Sequence, residues 1–123
     1  MSNLKKYFFI LMVAVAPKDA FAERKAITTS EDFVELVTGK ALTRPFIILK
    51  VSSDGKIRGS GAFRKIVGTW SWEDESFCRN LYWGQSDLGY NCQKVISDGN
   101  RISFTSDRGS GESALFTLRQ ITD

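Results

Sequence analysis

The chain has 123 residues, 25% of them charged and 42% hydrophobic, with a formal net charge of +3 and no histidine. That length holds one small domain with a modest single core. The lack of histidine excludes Ser-His and Cys-His nucleophile activation and removes ordinary zinc catalysis.

Residues 1–22 have the layout of a secretory signal peptide. Lys5 and Lys6 form a positive start, Tyr7 to Ala16 is an apolar run of about ten residues, and Ala20-Phe21-Ala22 is a small-x-small cleavage site. The apolar run is well short of the roughly 20 residues that span a bilayer, so no transmembrane anchor is expected in the mature chain. No Cys follows the cleavage site to carry a lipid. Residues 23–123 are then the single domain. Loss of Lys5, Lys6, Lys18 and Asp19 takes the balance from 17 and 14 to 14 Lys+Arg against 13 Asp+Glu, a net +1. Nucleic acid is not an expected partner, because it needs a dense basic footprint.

Glu23 to Thr28 reads as a short polar lead. A helix is expected over Ser30 to Thr38, capped by Thr29 or Ser30, with Glu31 and Asp32 at the positive end of its dipole. Phe33, Leu36 and Val37 form one apolar face, and Gly39 stops the helix. Alone it would be marginal, so that face is expected to pack on a sheet or plug an opening.

Antiparallel strands follow. Phe46 to Val51 is apolar and β-branched, and Asp54-Gly55 signals a hairpin before Lys56 to Gly59. Lys65 to Trp72 precedes a charged turn at Glu73-Asp74-Glu75. Phe77 to Trp83 leads to a loop at Gly84 to Gly89, and Tyr90 to Ile96 ends at Asp98-Gly99-Asn100. Arg101 to Ser106, a loop over Asp107 to Gly111, and Ala114 to Arg119 complete the chain. Turn signals about every 10 residues suggest a meander. Alternation puts Trp70 and Trp72 on one face, and Phe116 and Leu118 on the face opposite Leu115 and Thr117.

Cys78 and Cys92 are the only cysteines. In an oxidising compartment they make one structural disulfide between neighbouring strands. All three Trp, two of the three Tyr and both Cys fall between Gly68 and Cys92. Core packing around the disulfide accounts for many of these rings. The functional alternative is an aromatic binding face of Trp70, Trp72, Tyr82 and Trp83, with Arg79, Gln85, Asp87 and Asn91 as polar anchors. Arg64, Arg79 and Arg108 are candidate anion contacts. Gly59-Ser60-Gly61 and Gly109-Ser110-Gly111 lack the following helix that phosphate loops need. Glu73-Asp74-Glu75 is the only acidic cluster, and it falls in a turn.

The same stretch carries a resemblance. Leu42 to Arg44, Gly68 to Trp72, Phe77 to Arg79, Leu81 to Gly84, Asp87 to Gln93 and Phe104 to Gly109 are similar to the pattern of a family of small exported bacterial proteins often labelled dihydrodipicolinate reductase. The resemblance covers most of the mature chain and implies export without a defined activity. The label itself requires a dinucleotide-binding unit and a His-His motif. This chain has no Gly-rich strand-to-helix turn and no histidine, so it is not a genuine reductase of that name. Gly68-x-Trp70 also resembles the Gly-x-Trp strand of lipocalins, which suggests a small barrel that holds one ligand.

These readings converge on an α+β, mostly β fold: a short N-terminal helix plus a curved antiparallel meander of six to eight strands, or a small partly closed barrel, with one disulfide. The expected function is an exported binding or interaction domain in the periplasm or outside the cell. Its partner is a small molecule or an envelope protein, held by the aromatic face, with no cofactor or metal. Two alternatives are an inhibitor of an envelope enzyme, displaying Gly84 to Gly89 or Asp107 to Gly111, and a carboxylate-based enzyme using Glu73, Asp74, Glu75 or Asp87 with an arginine.

Overall fold

The computed structural model describes residues 23–121, so the expected signal peptide lies outside the described residues. The elements run β1 (Lys25–Ile27), α1 (Ser30–Val37), β2 (Lys40–Arg44), β3 (Ile47–Val51), β4 (Lys56–Gly61), β5 (Arg64–Glu73), β6 (Ser76–Trp83), β7 (Ser86–Ser97), β8 (Arg101–Thr105) and β9 (Ser113–Gln120). A short 3-10 turn, Asp107–Gly109, lies between β8 and β9.

Strands β2 to β9 each pair antiparallel with the next, and β9 returns to pair with β2. The result is a closed eight-stranded up-and-down barrel with one short helix, mostly β as expected and more closed than the expected curved meander or partly closed barrel. Closure depends on Lys40–Arg44, a stretch not expected to be a strand. Its partners are 74 to 80 positions away, from Lys40 opposite Gln120 to Thr43 opposite Thr117. Curvature comes from glycines on the inward face. A Cβ on Gly59 would strike the Ile48 carbonyl oxygen, and one on Gly68 the Asn80 carbonyl oxygen, so only glycine lets adjacent strands approach there.

β1 lies within the short polar lead read over Glu23 to Thr28. It pairs Lys25–Ile27 with Ser97–Val95 of β7, beyond the end of β6. Three residues carry too little pattern to announce a strand; the long β7 supplies the template.

Helix α1 begins at Thr29, whose Oγ1 accepts the Asp32 N–H at 3.1 Å. It ends before Gly39, which takes φ +75°. Its buried residues, Phe33 and Val37, close one end of the barrel. The Phe33 ring lies 5.2 Å from Trp70, 5.3 Å from Trp72, 5.0 Å from Phe77 and 6.4 Å from Phe104. The expected face-sharing of Trp70 and Trp72 is present, and the face is the barrel interior.

Cys78 and Cys92 are directly opposite on β6 and β7 and form the disulfide. It is on the outward side of the β6–β7 ladder, one residue out of phase with Phe77, and both cysteines are buried there. The disulfide, with no helix among the described residues long and apolar enough to cross a membrane, is compatible with an extracellular or periplasmic location.

Candidate functional site

The end of the barrel opposite α1 opens into a cavity of about 390 Å³. Its apolar wall includes Leu42, Val51, Ile57, Phe77, Phe104 and Phe116; its polar groups include Arg44, Arg79, Gln93, Ser106 and Glu112. Alternate residues of β6 face inward, so Phe77, Arg79 and Leu81 all enter the lumen from that strand.

Arg79 is the notable group. Its Nη1 donates 2.8 Å to the Gly89 carbonyl across the β6–β7 ladder. Burial of the guanidinium pulls its pKa below the ordinary arginine value. Among the described residues the only ion pair is Arg101–Asp98, at 3.2 Å on a surface turn, so Arg79 has no carboxylate partner within that distance. Gln93, 8% exposed, donates 3.3 Å to the Ser106 hydroxyl on the same wall. Arg44 lies over the Phe116 ring at 5.6 Å, and Glu112 reaches the lining from the β8–β9 connection.

The other candidates disperse. Trp70 and Trp72 belong to the plugged end, where their indole N–H groups donate to the Ser52 and Thr28 carbonyls at 2.9 and 3.2 Å. Trp83 donates 2.6 Å to the Gly61 carbonyl and carries Arg64 over its ring at 4.7 Å, outside the cavity lining. Tyr82 is exposed and lines a groove on the outer surface. Asp87 accepts the Gly89 N–H at 2.8 Å within the hairpin. Asn91 exchanges two hydrogen bonds with Asp107, at 2.8 and 3.0 Å, and so pins the 3-10 turn. Arg108 donates 3.2 Å to the Ser76 hydroxyl. Of the proposed binding set, only Arg79 lines the cavity.

Gly84 to Gly89 is not a free loop. Gly84 and Gln85 make a tight turn, and β7 starts at Ser86, with a bulge where Leu81–Tyr82 meet Gly89–Asp87. Asp74 and Glu75 are the two positive-φ residues of the β5–β6 turn, whereas Glu73 accepts the Ser71 and Tyr90 hydroxyls on the outer face. These carboxylates do not converge.

Sequence reasoning missed Leu42, Arg44, Gln93, Phe104, Glu112 and Phe116 as cavity residues. One signal was available: Arg79 shares a strand face with Phe77 and Leu81, which places a cation among apolar neighbours.

Fold and site together define an antiparallel barrel plugged at one end, with a cation in its lumen, Arg79, that has no carboxylate within ion-pair distance among the described residues. Comparison with protein-family models, with curated proteins and with solved structures finds no match.

Proposed function

We propose that the protein is an exported binding module, periplasmic or secreted, that holds a small amphipathic anion in the open half of its barrel. Its apolar body would lie among Leu42, Phe77, Phe104 and Phe116, with its acid group toward Arg79. The observation that carries this reading is Arg79, a partly desolvated cation beside the apolar wall of the lumen, with no carboxylate within ion-pair distance among the described residues. A buried charge is stabilised by a counter-charge, which a bound anion would supply. The cavity volume falls in the usual range of small-ligand sites, roughly 300–1,000 Å³, and an eight-stranded barrel is wide enough for one small ligand. The motif resemblance to small exported bacterial proteins supports the same compartment.

The test is calorimetric titration with medium-chain carboxylates and with alcohols of matching chain length, against the native protein and Arg79→Gln. Carboxylates should bind and alcohols bind more weakly. Arg79→Gln should erase that preference, and Glu112→Gln should strengthen carboxylate binding. Equal affinity for acid and alcohol, or no binding of either, would remove this reading.

A further inference from the structure

Charge is unevenly distributed. Between Lys40 and Trp72 the sequence has seven cations, Lys40, Arg44, Lys50, Lys56, Arg58, Arg64 and Lys65, and one acid, Asp54. Strands β2 to β5 with their turns thus carry seven cations against two acids, Asp54 and the terminal Glu73 of β5. Lys50 and Arg58 are direct cross-strand partners on the outer surface, both exposed, an arrangement that opposes folding unless an anion faces it. Asp54, the acid nearest this pair in the sequence, lies in the β3–β4 turn at the plugged end, where it accepts from the Ser52 hydroxyl at 2.6 Å and the Lys56 N–H at 3.2 Å; its attraction to Arg58 and Lys56 offsets part of the charge on that side.

The open rim beside this surface carries two exposed phenylalanines. Phe46 at the β2–β3 turn is 80% exposed and Phe63 at the β4–β5 turn is 100% exposed. Both have positive φ, 66° and 71°, where glycine or asparagine is favoured. The two tips are joined, since the Ala62 N–H donates 2.8 Å to the Phe46 carbonyl. Exposed Ile48 continues the apolar surface along β3. Neither packing nor turn geometry accounts for two large rings at these positions.

We infer that the rim and the β3–β5 outer surface form a docking face for an anionic lipid bilayer, with Phe46 and Phe63 entering the headgroup–acyl boundary and Arg44, Arg64, Lys65, Lys50 and Arg58 facing lipid phosphates. A protein surface with apolar tips flanked by cations, and almost no acids, matches the two interactions that hold peripheral proteins on such membranes. The face stands independently of whether the lumen holds a ligand. Docking would turn the mouth of the barrel toward the membrane.

The experiment is co-sedimentation of the native protein with vesicles of phosphatidylglycerol and phosphatidylcholine in equal amounts, and with phosphatidylcholine alone. The proposal expects binding to the anionic vesicles, weaker binding to the neutral ones, and loss at about 0.5 M salt, where charges are screened within a few ångströms. The double variant Phe46→Asn/Phe63→Asn keeps residues that tolerate positive φ, so the fold survives. It should lower the partition coefficient by about 10-fold or more, through loss of apolar insertion. Lys50→Glu/Arg58→Glu should abolish the preference for anionic vesicles, and Arg79→Gln should leave it unchanged. Absence of vesicle binding would overturn the inference. So would binding that ignores the loss of both rings, which would describe a charge-only surface suited to an acidic protein. Loss of docking in Arg79→Gln would overturn it as well, by making the lumen the site of lipid capture.

Discussion

The Phe33 ring stands nearly edge-on to Trp70, 5.2 Å between centroids and 69° between planes. A helix of eight residues is thereby fastened into a barrel chiefly through Phe33, beside the smaller buried Val37, since Phe33 has no exposed surface and also meets Trp72, Phe77 and Phe104. Phe33→Ala should destabilise the protein by about 3–5 kcal/mol, the range for deleting a fully buried aromatic. Chemical denaturation checks this. A loss below about 1 kcal/mol would mean that α1 is not the plug.

Reduction of Cys78–Cys92 removes a cross-link between residues 14 apart. Loop entropy gives roughly 3 kcal/mol for a loop this size. The melting temperature should fall on reduction, and Cys78→Ala/Cys92→Ala should fall comparably. The lumen is on the other side of the sheet, so ligand titrations on the reduced, folded protein should be unaffected. A shared loss of binding and stability would mean that the disulfide shapes the cavity.

Ala62 and Phe63 both sit at positive φ, 48° and 71°, in a two-residue hairpin turn. Asn-Gly is the pair this turn favours. Ala62→Asn/Phe63→Gly should therefore stabilise the fold by about 1–2 kcal/mol, because each L side chain in this region is strained by about that amount. The same variant should bind anionic vesicles less well. A stability gain with lost docking is the signature of a turn selected for its exposed ring; a stability loss would show that Phe63 packs on something.

Asp98 caps the β7–β8 turn. The Asn100 and Arg101 N–H groups donate to its Oδ1 at 2.9 and 2.8 Å, and the Arg101 guanidinium reaches Oδ2 at 3.2 Å. These bonds, the Asn100 bond first, hold its pKa below the ordinary carboxylate value. The stabilisation is present above the unfolded-state pKa, about 3.9, and is lost as pH falls through the lower folded value. Stability measured from about pH 5 down to pH 2 should therefore fall less steeply in Asp98→Asn than in the native protein. Parallel curves would remove Asp98 from the acid response.

The legible parts of the fold are those written in local pattern. Thr29, Phe33 and Gly39 mark helix α1 at both ends, and the alternation of Trp70 with Trp72 and of Phe116 with Leu118 marks inward faces. Lys40–Arg44 escaped because its pairing with β9 is decided by residues more than 70 positions away. The lining of the cavity was not legible for a related reason. The density of aromatics from Gly68 to Cys92 pointed to Trp70 and Trp72, yet those rings are consumed by Phe33, while the lumen is lined by residues scattered from Leu42 to Phe116.

By itself the sequence determined the β-rich class, the helix with its cap and apolar face, the pairing of the only two cysteines, and the exclusion of histidine chemistry. These follow from residue identity and from spacings shorter than one hairpin. Only the tertiary structure decided that the meander closes, that the helix plugs one end, and that Arg79 faces an open lumen. It also decided that Phe46 and Phe63 meet on one rim. Closure is a property of the last strand meeting the first, so no local window contains it, and the inside of a barrel exists only once that meeting has occurred.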